Sequence, residues 1–555
     1  MKLHSTGALT PEQHARQDER YAEKHEYDYL IIGTGIAALT VGSLLANAGH
    51  KICMLEAHDI PGGYAHNFKM GDYYFCAQIH YVWGGGPGDT ISRFAKKIGL
   101  EKELEFLPYD ATGYDHMVMP DGKRIKIPYG FDRLADNLEE AYPGDRKGVE
   151  RFLKIVDRLY TEERHLPSRI GFSFIDIVSK ALKFRYMIKY RNKTLQQVFD
   201  ACHLSQEVQS VLSANAGDFM LPPEELSILA YAGLFGGYNS GAYYPKKHYK
   251  YYIERLASFI TEHEGCHIFY ETPVTKIEIE NNRVARVETE GNKIFTAKTF
   301  ICNADPQSTA KQIIGWDLFP KKYHKALSYD YSSAGTVVYL GLKNIDLKKL
   351  GFGSFNIWHL EQWNMNKTWK EQKSGNFDKP WFFISTASLH THEAGTTPEN
   401  GEIIELATYT DFTSFRELKE RDIRLYRKKK KEVANRMIEL VEKHYIPNLR
   451  DHIAVKVVGT SSTNFDYVRA PYGNAYGSTL NTTHLNIGRL TAETPWPNFW
   501  WCNASSGSAG FHGTTSTGMG LYTKLTGDIV FPEDETPNTE TLVKYARNRW
   551  KDMNG

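Results

Sequence analysis

Four residues near the start of the chain have the types and the spacing that bind a dinucleotide. Gly33 and Gly35 follow an apolar run, and Ala38 comes three residues after Gly35. The glycines permit a tight turn and let backbone N–H groups approach a pyrophosphate, while a small third residue lets a helix pack closely on a strand. Glu56 lies 23 residues after Gly33, near the spacing at which a carboxylate accepts hydrogen bonds from ribose hydroxyls. Because this carboxylate would repel a 2′-phosphate, NADP is disfavoured.

These residues need a strand, a helix and a second strand to hold them in place. The apolar run 29–32 predicts a buried strand, and residues 36–47 predict a helix whose positive N-terminal end faces the phosphates. Gly49 predicts the end of that helix. Residues 51–55 predict the second strand, which ends at Glu56. The combination predicts a nucleotide-binding strand–helix–strand unit.

A second glycine pair, Gly62 and Gly63, follows shortly after Glu56. It resembles the second glycine motif of flavoproteins such as amine oxidases and carotenoid desaturases. In those proteins the pair lets the chain pass close to the FAD pyrophosphate. The resemblance implies FAD as the cofactor.

A later segment predicts the return of the chain to the nucleotide domain. Residues 271–290 predict a hairpin with Asn281 and Asn282 at its turn. A strand that ends in Asn303-Ala304-Asp305 follows it.

The end of the chain is predicted to close the cofactor site. Residues 499–504 predict a strand, and glycines follow before Gly518 and Met519. We expect a helix that opens on Gly518 and directs N–H donors and a helix dipole at the N1–C2=O edge of the flavin.

The order of the motifs resembles the phytoene desaturase superfamily, and within it the branch of retinol saturases and carotenoid cis–trans isomerases. The motifs that carry the resemblance span most of residues 28–530 and are Gly62–Phe68, Ile79–Tyr81, Pro120–Gly122, Tyr243–Pro245, Asn303–Asp305 and Gly473–Gly477. The resemblance implies an α/β fold in which a Rossmann-like FAD-binding domain is interleaved with an α+β substrate domain. It also implies an oxidoreductase that acts on C=C or C–C bonds of a long apolar polyunsaturated molecule of the retinoid, carotenoid or fatty-acyl class. Saturation, desaturation and flavin-assisted isomerisation all remain open.

Two departures from the family pattern affect the expected substrate contacts. Cys76, Ala77 and Gln78 stand where the family commonly has an Asp and a Gly before the His-Tyr pair. Lys246-Lys247-His248 stands where the family often has a glycine pair. The substrate itself is therefore not carried over.

The resemblance also implies roles for four further residues. His80 and Tyr81 are expected to face the reacting carbon, where His80 would supply or remove the proton that accompanies hydride transfer. His66, three residues after Gly63, is expected to hydrogen-bond the cofactor, and the backbone of Val274 to contact the adenine. An ordinary structural role is the alternative for each of them.

Composition limits the classes of partner. The net charge of +1 argues against nucleic acid, and no metal-ligand spacing such as H-E-x-x-H occurs. Six scattered cysteines without a C-x-x-C pair indicate neither zinc nor a disulfide framework. Since residues 1–27 lack an apolar signal segment, a cytoplasmic location is expected. Aromatic residues make up 13% of the chain, enough for an apolar tunnel or for an aromatic core.

The predicted domains are discontinuous. A polar N-terminal arm is expected at 1–27, and a C-terminal tail at 531–555. The FAD-binding domain is predicted from 28–95, 245–315 and 491–530. The substrate domain is predicted from 96–244 and 316–490, with one helix at 414–444.

Membrane contact and two rival functions complete the expectations. Residues 172–193 combine apolar side chains with six Lys or Arg and one acid, which favours peripheral contact with the inner face of a membrane. Because Arg185 and Lys189 fall among the apolar positions, a substrate-domain helix is the alternative. The rival functions are an amine oxidase-like flavoenzyme and a non-catalytic lipid-binding flavoprotein.

Overall fold

The computed structural model describes residues 9–23, 25–165, 183–391, 395–485, 489–530, 532 and 536–554. Its central element is a parallel sheet of five strands. Across the sheet the strands are Phe499–Trp501, Ala297–Cys302, Tyr27–Ile32, Ile52–Leu55 and His267–Phe269. This sheet confirms the predicted α/β class, with a first strand that begins at Tyr27, two residues earlier than predicted.

The carboxyl ends of these strands meet at one edge of the sheet. Gly33, Glu56, Tyr270 and Asn303 each follow directly on a strand. Ligands of parallel α/β sheets bind in the crevice outside the carboxyl ends of the strands. The predicted nucleotide motif therefore lies at the ligand-binding edge.

The predicted helix after the glycine turn is confirmed at Ile36–Asn47. It contacts the sheet and two other helices, His248–Thr261 and Gly510–Thr526. All residues from Ile36 to Ala46 are buried, which explains why this helix has no polar face. Ala38 is fully buried, in agreement with the requirement for a small residue there.

A second, mixed sheet has seven strands. Across it the strands are Ile453–Gly459, Gly335–Lys343, Gly401–Tyr409, Trp381–Ser385, Asn356–Leu360, Asp115–Val118 and Arg124–Ile127. All neighbours pair antiparallel except Asn356–Leu360 with Asp115–Val118, which are parallel. The strands come from both stretches predicted for the substrate domain. The domain boundaries themselves stay a prediction.

Alternate side chains of the seven-stranded sheet enter two different cores, because successive residues of a strand point to opposite faces. One face packs with residues of the helix Ile423–His444 through Val338, Ile357, Phe382, Ile384 and Leu406. The other face joins the larger core through Val337, Trp358, Trp381, Phe383 and Ala407.

Three smaller sheets complete the strands. An antiparallel sheet contains Val274–Glu280, Arg283–Thr289 and Ile294–Phe295, and two pairs are Asn67–Met70 with Tyr73–Cys76 and Phe106–Pro108 with Tyr243–Pro245. The hairpin predicted at 271–290 is confirmed, since Asn281 and Asn282 have φ of +49° and +59° at its turn.

The helices surround the two large sheets. Those of eight or more residues are Pro11–Ala22, Ile36–Asn47, Thr90–Lys97, Phe131–Ala141, Arg146–Arg164, Leu195–Cys202, Gln206–Ser213, Ile228–Ser240, His248–Thr261, Met365–Lys373, Phe412–Arg421, Ile423–His444, Ser461–Val468, Gly510–Thr526 and Thr539–Asn554. Shorter helices occupy Arg185–Tyr190, Lys321–Leu327 and Leu449–His452. Within the described residues, no helix has the length and apolarity needed to cross a membrane.

Helices occupy three of the predicted segments. The N-terminal arm contains the helix Pro11–Ala22, where Gln17 exchanges hydrogen bonds with the backbone of Tyr270. The C-terminal tail contains the helix Thr539–Asn554, which buries Leu542, Val543 and Ala546. The single helix predicted at 414–444 is two helices, because Asp422 has an extended backbone and caps the second one.

Candidate active site

A cavity of about 640 Å³ lies between the carboxyl edge of the parallel sheet and the seven-stranded sheet. Glycine turns and polar loops line one part of it. Apolar side chains from the seven-stranded sheet line another part. The cavity therefore joins the predicted nucleotide site to an apolar space.

The two glycine turns lie against each other at the wall of this cavity. The Gly62 N–H donates to the Thr34 carbonyl over 3.0 Å. Gly33, Gly62 and Gly63 have φ of +92°, +115° and +55°, values that L-residues rarely adopt. A Cβ on Gly63 would lie 3.3 Å from the Cα of Gly35. Glycine is therefore needed for both the conformation and the close approach.

Two helices begin at the cavity without a side-chain cap. The N-cap residue is Gly35 in the helix Ile36–Asn47 and Ala509 in the helix Gly510–Thr526, and neither makes a capping hydrogen bond through a side chain. Residues of both first turns line the cavity. The first N–H groups of a helix have no carbonyl partner within it and attract negative charge. The cavity thus has two sites for negatively charged or electron-rich groups.

The helix predicted to open on Gly518 begins eight residues earlier, at Gly510, so that prediction is wrong in its start. A Cβ on Gly518 would lie 2.6 Å from the Ala37 carbonyl oxygen and 2.7 Å from the Thr40 Cβ. Gly518 therefore serves close packing of two helices. Its neighbour Met519 does line the cavity.

Glu56 holds the first glycine turn. Its Oε2 accepts hydrogen bonds from the Thr34 N–H over 2.8 Å and from the Thr34 hydroxyl, and its Oε1 accepts from the His58 N–H over 2.9 Å. The Thr272 N–H donates to the Glu56 carbonyl, which places the strand Val274–Glu280 next to this residue. Val274 comes two residues after this contact and does not line the cavity.

His66 does not line the main cavity. Its Nδ1 lies 2.6 Å from the Gly63 carbonyl oxygen, and its ring stacks on Tyr467. Burial lowers the pKa of His66 to about 4, so the ring is neutral. His66 supports the glycine turn through this contact, and its predicted hydrogen bond to the cofactor stays a prediction.

His80 lines the cavity and is held by a buried carboxylate. Its Nδ1 lies 2.7 Å from Oε2 of Glu405, whose side chain is 1% exposed. Glu405 stands in the strand Gly401–Tyr409, on the face opposite Ile404 and Leu406. With Glu405 as acceptor, the proton of a neutral imidazole resides on Nδ1 and leaves a lone pair on Nε2. In this tautomer Nε2 is the ring atom that can accept a hydrogen bond.

Tyr81 lines the cavity and contacts two acids. Its hydroxyl oxygen lies 3.0 Å from Oδ2 of Asp115 and 2.7 Å from Oδ2 of Asp218. Burial raises the pKa of Asp115 to about 7, and burial followed by the charge of Asp115 raises the pKa of Asp218 well above its ordinary value. The Tyr81 ring stacks on Tyr238 at 4.0 Å.

A family model described as flavin-containing amine oxidoreductase matches residues 36–519. The chain belongs to this family. It is accordingly a flavin-dependent oxidoreductase, and the predicted cofactor, FAD, is confirmed.

Individual relatives are similar at low identity. All-trans-retinol 13,14-reductase of Danio rerio is 22% identical and is matched over 94% of this chain and 89% of its own. Prolycopene isomerase of Daucus carota is 23% identical over 86% of this chain and 75% of its own. The predicted resemblance to the retinol saturase and carotenoid isomerase branch is confirmed.

Two solved structures of amine oxidases share the fold. Putrescine oxidase superposes with a TM-score of 0.62 at 13% identity, over 91% of this chain and 99% of its own. Cyclohexylamine oxidase from Brevibacterium oxydans superposes with a TM-score of 0.58 at 14% identity, over 96% and 100%.

The residues of the cavity fit the flavin nucleotide. Any side chain at Gly63 would intrude on Gly35, and the two uncapped helix ends provide N–H donors for a pyrophosphate and for the flavin ring. Arg489 lines the same cavity, donates to the Ala504 carbonyl, and has no hydrogen-bond partner for its Nε among the described residues. A partly buried cation with an unused, buried donor suits a bound phosphate group.

The structure thus sorts the predicted site residues into two groups. Those that line the cavity are Gly35, Gly62, Gly63, His80, Tyr81 and Met519. Those that support its walls, or lie beside it, are Gly33, Ala38, Glu56, His66, Val274 and Gly518.

The site also contains residues that the sequence analysis missed, namely Glu405, Asp115, Asp218 and Arg489. Glu405 could have been identified from the sequence, because it is a carboxylate between apolar residues of its strand. The other three follow from tertiary contacts alone.

Away from the cavity, three side chains of metal-binding type meet, which no sequence spacing predicted. Glu361 Oε1 lies 2.7 Å from Nε2 of His359 and 3.1 Å from Nε2 of His444. The three groups satisfy one another by hydrogen bonds. They join the strand Asn356–Leu360 to the end of the helix Ile423–His444.

Proposed function

We propose that this flavin-dependent oxidoreductase acts on a C=C or C–C bond of a long apolar polyunsaturated substrate of the retinoid, carotenoid or fatty-acyl class. The names of the two relatives, a retinol reductase and a prolycopene isomerase, support the proposal. Saturation, desaturation and isomerisation are its three variants.

The observation that carries the proposal is the apolar wall of the cavity. Side chains of this wall are Phe219, Met220, Leu229, Leu234, Val337, Trp358, Trp381, Phe383 and Ala407. Aromatic and aliphatic side chains of this kind bind apolar ligands and exclude water. Since the glycine turns line the same cavity, an apolar chain can lie against the wall while one of its bonds reaches the flavin.

Bound FAD would give hydride to a carbon of the substrate or take hydride from it. The chain must then handle the proton that accompanies the hydride. His80 and Asp218 both line the cavity, so each is placed to exchange a proton with a bound molecule. General acid–base groups of this kind typically contribute about 10²–10⁴-fold to a rate.

The test uses the purified holoprotein with the relatives' substrates. Protein with chemically reduced flavin is incubated without oxygen with all-trans-retinol or with prolycopene, and the products are separated and weighed by mass spectrometry. Two added hydrogens indicate saturation, and an unchanged mass with altered retention indicates isomerisation. With oxidised flavin, the loss of two hydrogens indicates desaturation.

Two further arms test the rival functions. Putrescine and cyclohexylamine are added to the oxidised holoprotein, and the flavin absorbance is followed. Bleaching by an amine with no conversion of any polyene would replace the proposal with amine oxidation. Retention of a polyene without any chemical change would favour a lipid-binding flavoprotein.

We also propose peripheral membrane contact in a reducing, cytoplasmic location. Part of the segment that motivates it, 172–182, lies outside the described residues, and its remainder contains the helix Arg185–Tyr190. Six free, buried cysteines support a reducing compartment. Co-sedimentation with anionic vesicles at low salt tests the contact, and a protein that stays in the supernatant would contradict it.

A further inference from the structure

We propose that Asp218 is the acid that donates a proton to the substrate, held in its protonated form by Tyr81 and Asp115. This inference rests on the proposed function, because it supplies the proton for a reaction at a double bond. It assigns acid and base to different residues of the cavity, with Asp218 as the acid and His80 as the base.

Tyr81 has one hydroxyl proton for two carboxyl groups. Its hydroxyl oxygen lies within hydrogen-bond distance of both Asp115 and Asp218. A tyrosine hydroxyl carries one proton and can donate it to one acceptor only. The second contact therefore requires a proton on one of the two carboxyl groups.

The extra proton lies on Asp218, because Asp115 has the better hydrogen-bond donors. Asp115 accepts a further hydrogen bond from Nδ2 of Asn356 over 3.1 Å, which stabilises its ionised form. Asp218 has no such donor beyond Tyr81 among the hydrogen bonds of the described residues. The Tyr81 hydroxyl thus donates to Asp115, and the Asp218 hydroxyl donates to the Tyr81 oxygen. Burial and the nearby charge of Asp115, which raise the pKa of Asp218, agree with this order.

Only one of the two acids, Asp218, has access to the cavity. Asp218 lines the cavity together with its neighbours Gly217, Phe219 and Met220. Asp115 is 1% exposed and does not line it. Of the two acids, Asp218 is therefore the one that reaches a bound molecule, and Asp115 is a positioning residue behind Tyr81.

In saturation, a hydride and a proton are added across one C=C bond of the substrate. One carbon of the double bond receives hydride from the reduced flavin. The Asp218 O–H turns from the Tyr81 oxygen to the other carbon, which receives the proton. The π bond breaks and two C–H bonds form, so the substrate is reduced, the flavin is oxidised, and Asp218 is left as a carboxylate. In desaturation one substrate carbon gives up hydride to the oxidised flavin, and the neighbouring carbon gives up a proton to the Nε2 lone pair of His80. Two C–H bonds break and the π bond forms, so the substrate is oxidised and the flavin reduced.

The test is Asp218→Asn, which keeps the size of the side chain and an N–H donor toward Tyr81 but removes the acidic proton. We expect kcat for reduction of all-trans-retinol to fall about 10²–10⁴-fold, with KM changed by a few-fold at most and with normal FAD content. Asp157→Asn, at a position of the helix Arg146–Arg164 that does not line the cavity, is the matched control and should retain full activity.

Infrared spectroscopy of the holoprotein provides a readout that does not depend on turnover. Wild-type protein should show the carbonyl band of a protonated carboxylic acid, which Asp218→Asn loses and Asp157→Asn keeps. Full turnover by Asp218→Asn, or the absence of such a band in the wild type, would overturn the proposal. If the wild type converts no polyene while the band is present, the proposed function fails and the donor role fails with it, but the protonated Asp218 stands.

Discussion

At the scale of single residues, the cavity owes its chemistry to polar side chains that hydrogen bonds hold in place. His80 and Glu405 form one such pair, and Tyr81 with Asp115 and Asp218 forms another group. The first pair leaves a lone pair on Nε2 of His80, whereas the second group contains the proposed proton donor, Asp218. An apolar site that contains both a base and an acid suits chemistry in which hydride and proton move separately.

His80→Gln is expected to remove activity and leave flavin binding intact. Glutamine still forms a hydrogen bond with Glu405 but cannot accept a proton, so turnover should fall about 10²–10⁴-fold. The measurement is turnover of a polyene substrate together with the flavin absorbance spectrum. Near-wild-type turnover at normal FAD content would make His80 a structural residue.

Glu361→Gln is expected to lower the free energy of unfolding in a pH-dependent way. The hydrogen bond from His359 lowers the pKa of Glu361 to about 2, with burial opposing it. A carboxyl whose pKa is depressed on folding stabilises the protein above its ordinary pKa, and this stabilisation is lost as the pH falls toward the depressed value. The variant should lose about 2–3 kcal/mol at pH 7.

Urea denaturation at about pH 7 and about pH 3 measures this difference. The difference in the free energy of unfolding between wild type and variant should be less than half as large at the lower pH. A gap that is independent of pH would show that the carboxylate charge of Glu361 does not contribute.

At the scale of elements, the sequence predicted those parts whose positions are fixed by local rules. The helix Ile36–Asn47 and the hairpin turn at Asn281 agree with the structure because glycine turns and Asn-Asn turns act over a few residues. The start of the helix Gly510–Thr526 was missed because its N-cap is Ala509, which has no capping side chain. Asp218 was missed because only tertiary contact brings it to Tyr81.

Gly518→Ala is expected to destabilise the contact between the helices Gly510–Thr526 and Ile36–Asn47. The new methyl group would meet the Ala37 carbonyl at 2.6 Å, and backbone cannot move aside as a side chain can. The cost should be about 1–3 kcal/mol, measured by thermal or urea unfolding.

Gly42→Ala, in the partner helix, is the matched control. A Cβ at this position would have as nearest contacts the flexible side-chain ends of Ile260 at 3.2 Å and Met54 at 3.3 Å. The variant should therefore lose less free energy of unfolding than Gly518→Ala. Equal effects of the two changes would contradict the packing role of Gly518.

At the scale of the whole molecule, the cofactor site is assembled from distant parts of the chain. Its lining extends from Gly35 to Thr536 and includes residues at the ends of the parallel strands. Such a site forms only when the folded chain brings these segments together. Ligand binding to the folded state alone must then stabilise the protein as a whole.

Removal of FAD is therefore expected to lower the Tm of the entire protein. FAD at a free concentration about 100 times its Kd would contribute about 2.7 kcal/mol. Acid precipitation should release FAD into the supernatant, since no cysteine is among the described residues that line the cavity. Flavin that stays with the pellet would indicate a covalent link, and an unchanged Tm after its removal would contradict a site shared by the whole fold.

The seven-stranded sheet has an evolutionary consequence. Val337, Trp358 and Ala407 face the cavity, whereas their immediate neighbours Val338, Ile357 and Leu406 pack in the other core. Positions one residue apart therefore experience different selection, one set for the shape of the ligand and the other for folding. Descendants of this chain could diverge in substrate range through changes at alternate positions while inheriting the same scaffold.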